Sequence, residues 1–288
     1  MKVDFFIVGA PKAGTTSLYH YLNQHLEIEM SAQKEPDFFS NSALKEQRLY
    51  YAQDRIDTIE KYHRLFKKDD VILRGEASVS YLFYEDVPDK IITYNPDAKI
   101  IIMLRSPIDR AFSHYLMDYK LGLNSESFDA IIKKKSKHKN ANLFYQQYIQ
   151  LSEYTKQIKR YLEVFDRQNI FFIDYDEFKN KTSEIVNCVI VFLGLKPNFQ
   201  DSFKRKYNTY NKPKNSLIRY FYSFVFLRKI LVKVFPRSII KIIRDLLFRS
   251  DQRPKLQQAT SDLLKKHFES DIKELSNLLK KDFTKWIK

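Results

Sequence analysis

The sequence holds little cysteine, glycine or proline and no long apolar run. A single cysteine, Cys188, stands among 288 residues, which excludes an internal disulfide framework. Only 5 glycines and 9 prolines exclude collagen-like and Gly/Pro-rich disordered chains. No apolar run approaches the ~18 residues of a membrane-spanning helix, and the 6 histidines are scattered without the spacing of a metal site. We therefore expect a globular protein without a bound metal.

Two local features bear on the compartment. Cys188 lies in the apolar run 185–192, which predicts a buried structural thiol rather than a nucleophile. Lys2 and the apolar residues after it resemble the start of a signal peptide, but Asp4 interrupts them, so we interpret this stretch as the first strand of the fold. These observations predict a cytoplasmic protein with no signal peptide and no transmembrane helix.

The residues that are abundant indicate a large core and anionic partners. The apolar fraction is 44%, with 23 Phe and 19 Tyr, which is enough for a sizeable core. The formal net charge is +15, which favours an acidic glycan, a phosphorylated cofactor, a membrane headgroup or nucleic acid as partner. No nucleic-acid-binding motif is present, so nucleic acid is not expected.

Apolar, strand-like runs alternate with helical patterns along the first two thirds of the chain. Strands are predicted at 5–9, 71–76, 99–105 and 169–175. Helices are predicted at 107–119, at 148–165 and at 182–193, the last ending at Gly194. This alternation predicts an α/β fold with a parallel sheet flanked by helices on both faces. Ligands of such sheets bind at the carboxyl ends of the strands.

The first strand leads into a glycine-bounded loop. Gly9 and Gly14 have the G-x-x-x-x-G spacing of a phosphate-binding loop, whose backbone N–H groups form an anion nest at a helix N-terminus. Thr15 and Thr16 follow, where a nucleoside triphosphatase has Lys-Ser/Thr, and the one lysine of the loop is Lys12. The pattern therefore predicts a phosphorylated donor handled without magnesium.

A second anion site is predicted at the end of the strand 99–105. Arg105 closes this strand, and Ser113 lies two turns along the next helix. A guanidinium fork and a hydroxyl suit one phosphate, so a nucleotide with phosphates at both ends of its ribose would fit the two sites. The alternative is a structural salt bridge from Arg105 to Asp109 or Glu76.

With these segments in order, the chain resembles the P-loop-type sulfotransferases that use 3′-phosphoadenosine 5′-phosphosulfate (PAPS), on their carbohydrate and bacterial side. Residues 11–17 resemble the family's 5′-phosphosulfate loop, and residues 104–115 resemble its 3′-phosphate motif. Residues 34–39 resemble the segment that supplies the catalytic base. Residues 75–78 resemble a further core segment, although Val79 replaces a proline common there. The resemblance covers about residues 3–195 and resumes at 275–286.

The resemblance implies a role for each matching residue. The residues implied to bind the donor PAPS, and its product adenosine 3′,5′-bisphosphate (PAP), are Pro11, Lys12, Ala13, Gly14, Thr15, Thr16, Ser17, Arg105, Ser113 and Arg253. Glu35 is implied as general base and Lys12 as the catalytic cation, with His114 and His20 as alternative bases. Lys34, Glu76 and Ser78 are implied to contact the acceptor, a carbohydrate or glycolipid hydroxyl or, as second choice, an amine. No metal is expected.

The resemblance also implies one domain over 1–288. Its parts are a core at 1–195, a basic amphipathic region with a cofactor-covering loop at 196–255 and a closing helix at 256–288. Residues 216–249 mix apolar and basic side chains, so they either pack on the core or lie peripherally on a membrane. Two other functions stay open: a kinase-like P-loop enzyme, and a non-catalytic protein that binds anions or membrane surfaces.

Overall fold

Five parallel strands form the central sheet of the computed structural model. They are β1 (Phe5–Gly9), β2 (Ile28–Met30), β3 (Leu73–Ala77), β4 (Lys99–Leu104) and β5 (Ile170–Asp174). The order across the sheet is β2–β3–β1–β4–β5, with every pair parallel. The predicted α/β class is confirmed, whereas the short strand β2 was not predicted. The structure describes residues 1–51, 56–68, 70–197, 211–213, 239–240, 247–250 and 254–288.

Continuous apolar runs explain why these segments pair in parallel at the centre. All five residues of β1 are buried, and so are the last five of β4. A strand buried on both faces needs no polar alternation, because helices cover both sides of a parallel sheet. Gly75 of β3 lies against the Phe5 ring, and a Cβ at this position would come within 2.1 Å of that ring.

Helices cover the sheet in two layers. The described helices are α1 (Thr15–Leu22), α2 (Asn41–Glu46), α3 (Ile59–His63), α4 (Val87–Tyr94), α5 (Pro107–Lys120), α6 (Phe128–Ile132), α7 (Ala141–Tyr148), α8 (Tyr154–Val164), α9 (Tyr175–Asn180), α10 (Thr182–Leu193) and α11 (Gln258–Leu279). Helix α1 packs with α10, and α4 packs with α8. Because the chain moves one way across the sheet from β1 to β2 and the other way from β3 to β4, right-handed crossovers place α1 and α4 on opposite faces, each with its packing partner.

The helix predicted at 148–165 is interrupted, and buried Arg110 explains the break. Helix α7 ends at Tyr148, a 3₁₀ turn spans Gln150–Ser152, and α8 begins at Tyr154. The Arg110 guanidinium donates to the carbonyl oxygens of Gln147 and Tyr148, both at 2.7 Å, and to Ser152 Oγ at 2.5 Å. These acceptors satisfy an arginine that has no contact with water.

The C-terminal helix α11 is fastened to the core by polar contacts. The Asp271 carboxylate accepts from the N–H groups of Tyr154 and Thr155 at 2.8 and 3.1 Å, which caps the N-terminus of α8. Lys285 forms a 2.7 Å ion pair with Asp174 at the carboxyl end of β5. Two further short strands, β6 (Asn211–Pro213) and β7 (Phe248–Ser250), pair antiparallel. The rest of the basic stretch 216–249 lies largely outside the described residues.

The prediction of a buried thiol was wrong. Cys188 is exposed on α10, because this helix turns Val186, Val189, Ile190 and Leu193 toward the core. An apolar run on a helix covers all its faces, so only one stripe of it is buried. Across the described part of the chain, no helix is both long and apolar enough to span a membrane.

Candidate active site

A cavity of about 530 Å³ opens at the carboxyl edge of the sheet. It lies where loops from β1, β3, β4 and β5 meet, as expected for a parallel α/β sheet. The predicted site residues that line it are Pro11, Lys12, Gly14, Thr15, Thr16, Ser17, Glu35, Arg105, Ser113 and His114. The structure thus brings the loop, the strand-end arginine and the acidic segment together.

The loop between β1 and α1 lines this cavity with Pro11, Lys12 and Gly14. Gly14 precedes α1 with φ of 93°, and no side chain caps the helix there. A Cβ on Gly14 would lie 3.1 Å from the Tyr175 ring, so glycine meets both the backbone and the space requirement. The first N–H groups of a helix have no intrahelical partner and form the positive end of its dipole, which attracts anions. Ala13 itself is buried behind the loop.

Lys12 carries its ammonium into this region without a close acid. Its Nζ lies 3.3 Å from Met117 Sδ, and no carboxylate within the described residues comes near enough for an ion pair. Burial lowers the pKa of Lys12 to about 8, while the charges of Asp118 and Glu35 act in the opposite direction. A partly desolvated ammonium whose main contact is a thioether is prepared to receive an anion.

Arg105 faces the cavity from the end of β4. Its Nη1 donates to the Lys12 carbonyl at 3.0 Å, and its Cζ lies 4.6 Å from the centroid of the Tyr175 ring. Its Nε is buried and has no hydrogen-bond partner among the described residues. Glu76, one predicted salt-bridge partner, is instead bonded to Tyr62. A buried donor without a protein acceptor suits a phosphate oxygen.

The acidic wall of the cavity is formed by Glu35 and Asp37. Both have left-handed backbones, with φ of 60° and 53°, which non-glycine residues seldom adopt. Glu35 forms an ion pair with Lys34, which does not itself line the cavity. Burial raises the pKa of Asp37 to about 7, although its Oδ1 accepts from Ser80 Oγ at 2.6 Å. The wall therefore holds two carboxyl groups with different surroundings.

His114 has both ring nitrogens engaged. Arg110 Nη1 lies 3.3 Å from Nδ1, and a guanidinium can only donate, so Nδ1 accepts. The proton of the neutral ring is then on Nε2, which donates to Tyr51 Oη at 2.7 Å. Burial, with Arg110 next, holds the pKa of His114 well below its usual range. This ring has no free lone pair for an acceptor proton, which favours a structural role over the predicted role as base.

Like Lys34, the other two residues predicted to contact the acceptor do not line the cavity. Glu76 is fully buried, and its Oε2 accepts from the Tyr62 hydroxyl. Ser78 is also buried, and its Oγ accepts from the Asp37 N–H at 3.0 Å. Glu76 and Ser78 are two residues apart at the end of β3, so both side chains point to the same, interior side. There they lie behind the acidic wall. Arg253 lies outside the described residues, and His20 does not line the cavity.

Replacing Glu76 with Gln is expected to flatten part of the pH dependence of stability. Burial raises the pKa of Glu76 to about 7. A carboxyl whose pKa is higher in the folded than in the unfolded chain loses stability as pH rises through this interval, about 1–3 kcal/mol for a fully buried group. Urea unfolding between pH 5 and 8 should show that the free energy of unfolding of Glu76→Gln rises relative to that of the parent protein toward pH 8. Glu163→Gln, on the surface, is the control. If the free energies of unfolding of Glu76→Gln and the parent changed equally with pH, this prediction would be wrong.

Several residues of the site were not assigned from the sequence. Tyr51, Ser80 and Tyr175 line the cavity with Asp37, and Asp118 lies just behind it. A helical spacing could have revealed Asp118, since Arg110, His114 and Asp118 follow at intervals of four on α5. Tyr175 directly follows β5, at the sheet edge where ligands bind. Tyr51 and Ser80 carry no comparable signal. Within the described residues, no group of three or more potential ligands could hold a metal ion.

The fold and the loop after β1 define a class: a P-loop-type α/β protein. A family model described as the sulfotransferase domain matches residues 2–234. The chain therefore belongs to the sulfotransferase family of enzymes.

Individual relatives agree with this assignment. Human carbohydrate sulfotransferase 15 is 25% identical over 245 residues, covering 67% of this chain and 44% of the relative. The bifunctional heparan sulfate N-deacetylase/N-sulfotransferase 1 of Caenorhabditis briggsae is 25% identical over 200 residues, covering 67% and 22%. The chain thus spans less than half the length of these curated relatives. A crystal structure of a sulfotransferase from Alicyclobacillus acidocaldarius aligns over 100% of both chains, with 27% identity and a TM-score of 0.72.

Proposed function

We propose that this protein transfers a sulfuryl group from PAPS to a hydroxyl of a carbohydrate or glycolipid, with Glu35 as general base. One observation carries the proposal. An anion-binding loop, a strand-end arginine and an acidic wall surround a single cavity. A donor with two separate phosphate groups and an acceptor hydroxyl need these three elements within one space.

The donor side of the proposal is supported by polar groups that lack protein acceptors. The loop amides before α1 and the Lys12 ammonium would hold the 5′-phosphosulfate. The Arg105 guanidinium, whose Nε is unpartnered among the described residues, and Ser113 would hold the 3′-phosphate. The residues present therefore fit a nucleotide with phosphates at both ends.

Lys12 would act on the bond that breaks. Negative charge develops on the oxygen that links sulfur to the leaving phosphate, and a cation fixed beside it lowers the barrier. Thr15 and Thr16, on the first turn of α1, line the same cavity and can donate to the sulfuryl oxygens. Arg105 donates to the Lys12 carbonyl, so a hydrogen bond joins residues of the two anion sites.

Glu35 would take the acceptor proton. It lines the cavity, where a carboxylate can accept the proton of a bound hydroxyl, and an ion pair with Lys34 orients it. Asp37 is the other carboxyl of this wall, but its pKa of about 7 leaves much of it protonated at neutral pH. Glu35 is therefore the better base.

The acceptor class is supported by the relatives and by the lining of the cavity. The relatives named above are a carbohydrate sulfotransferase and a heparan sulfate N-deacetylase/N-sulfotransferase. The cavity also has an apolar wall made of Leu44, Leu49, Phe83, Leu121 and Leu123. Leucines beside a polar sulfuryl end suit a sugar that carries an apolar aglycone, so a glycolipid is our first choice of acceptor.

Arg105→Ala is expected to weaken PAP binding about 10- to 100-fold, the usual cost of losing hydrogen bonds to a charged group. Adenosine 5′-monophosphate lacks the 3′-phosphate, so its affinity should change little. Calorimetric titration of both nucleotides measures this discrimination. Arg167→Ala is a matched control, because Arg167 bonds only to the Ile170 carbonyl and the Phe172 ring in the described structure. If the variant lost affinity equally for both nucleotides, Arg105 would not be a ligand of the 3′-phosphate.

Transfer itself can be followed with ³⁵S-labelled PAPS and a panel of octyl glycosides and the matching free sugars, with EDTA present. The proposal predicts labelled product without magnesium, and more from octyl glycosides than from free sugars. Transfer of labelled γ-phosphate from ATP, dependent on magnesium, would instead support the kinase-like alternative. Vesicle binding that is independent of PAP, with no transfer to any acceptor, would favour the membrane-surface alternative.

A further inference from the structure

Three tyrosine hydroxyls converge on the buried carboxylate of Asp118. Tyr50 and Tyr148 donate to Oδ2 at 2.6 and 2.8 Å, and Tyr51 donates to Oδ1 at 2.8 Å. The carboxylate has no contact with water. Hydrogen bonds from neutral donors stabilise the charged form, so the cluster holds a negative charge in the interior.

The direction of these hydrogen bonds is fixed by their neighbours. His114 Nε2 donates to Tyr51 Oη, as its tautomer requires, and this leaves the Tyr51 proton for Asp118. Tyr148 also accepts from Asn124 Nδ2 at 3.2 Å. Burial raises the pKa of Asp118 to about 6, so the carboxylate is mostly ionised at neutral pH. A polar network satisfied in this way is rigid, and it places the charge at a defined point.

Asp118 lies directly behind the cavity that holds the cation of the phosphate loop, since Tyr51 both lines this cavity and donates to Asp118. Lys12 Nζ contacts Met117 Sδ, on the residue next to Asp118 in α5. The negative charges of Asp118 and Glu35 raise the pKa of Lys12 against the effect of burial. Around the two groups lie the other titratable or charged side chains Tyr50, Tyr51, Tyr148, Arg110, His114, Lys34, Glu35 and Arg105. The positive charges of Arg105 and Lys34 lower the pKa of Lys12.

We propose that Asp118, held by Tyr50, Tyr51 and Tyr148, is a positioning residue that keeps the Lys12 ammonium charged before the donor binds. The proposal rests on the proposed function, in which Lys12 binds the 5′-phosphosulfate. Burial alone would drive Lys12 toward its neutral form, which has lost most of its attraction for a phosphate. The carboxylate does not contact the donor, so it offsets desolvation without occupying the anion site.

Asp118→Asn tests this through the pH dependence of PAP binding. The dissociation constant is measured by calorimetry from pH 6 to pH 9 for the parent and the variant, and their ratio is taken at each pH. The ratio cancels the titration of the phosphates of PAP. If the variant lowers the pKa of Lys12 by about one unit, the ratio rises roughly three- to tenfold across this range.

A purely structural or simple electrostatic role predicts other outcomes. Loss of a negative charge near an anion would tighten PAP binding at every pH, and loose packing would weaken it at every pH, so a ratio that is flat or falls with pH overturns the proposal. Asp118→Glu keeps the charge and should restore the parent profile. If the Asn variant does not fold, Asp118→Ser is measured in the same way, because its smaller side chain leaves room for water to accept from the tyrosines.

The Lys12→Arg background provides the sharpest control. An arginine stays charged throughout this pH range, so adding Asp118→Asn there should leave the ratio independent of pH. A rise of the same size in the Arg background would show that Asp118 does not act through Lys12. If the parent protein binds no PAP at any pH, the proposed function fails first, and this outcome is distinct from PAP binding with an unchanged profile in the variant.

Discussion

Replacing Glu35 with Gln lowers kcat for sulfuryl transfer by about 10²–10⁴-fold, the usual contribution of a general base. The amide keeps the size of the side chain but cannot take the acceptor proton. The donor site is formed by other residues, so PAP should bind the variant about as well as the parent protein. The measurement pairs ³⁵S transfer rates at saturating PAPS with calorimetric PAP titration.

Asp37→Asn is the matched comparison for Glu35. Both carboxyl groups line the cavity within three residues of each other, but Asp37 is held by Ser80 and has a pKa of about 7. We expect Asp37→Asn to lose much less activity than Glu35→Gln. The reverse order, with Asp37→Asn nearly inactive and Glu35→Gln active, would transfer the role of base to Asp37.

Lys12→Ala is expected to abolish measurable transfer and to weaken PAP binding about 10- to 100-fold, since hydrogen bonds to a charged group contribute 1.5–3 kcal/mol. The larger effect falls on kcat, because the ammonium stabilises charge that develops on the leaving oxygen. Lys12 lines the cavity, and within the described residues its Nζ bonds only to Met117 Sδ, so the fold should tolerate the change. Thermal unfolding together with kinetics checks both statements.

Lys156→Ala is the control for the loss of one positive charge. Lys156 is 79% exposed and paired with Glu85, so the net charge changes equally while the cavity does not. If Lys12→Ala retained a kcat within about threefold of the parent, a difference below 1 kcal/mol in barrier, Lys12 would have no part in the transition state.

Much of the fold follows from local patterns in the chain. The buried strands β1 and β4 are continuous apolar runs, and the spacing of Gly9 and Gly14 marks the loop, where Gly14 has a left-handed backbone. Arg105 was predicted from its place at the end of a strand. Such features depend on neighbouring residues in sequence, so sequence analysis can find them.

Features that depend on distant contacts could not be predicted. The break before α8 exists because Arg110 draws the carbonyls of Gln147 and Tyr148 to itself across 37 and 38 residues of chain. The two residues behind the acidic wall, Glu76 and Ser78, were assigned to the acceptor from the family resemblance of residues 75–78, which does not show which way each side chain points. Cys188 was misjudged for the same reason, since an apolar run does not reveal which stripe of a helix meets the core.

Calorimetric titration of the purified protein with PAP and, separately, with ATP, both without magnesium, tests the central claim most directly. We predict tight PAP binding and ATP binding at least about 100-fold weaker, because ATP lacks a phosphate for Arg105 and Ser113; two such lost contacts correspond to roughly 3 kcal/mol. A folded sample that binds no PAP, or that prefers ATP once magnesium is added, would contradict the account of this cavity as a PAPS site.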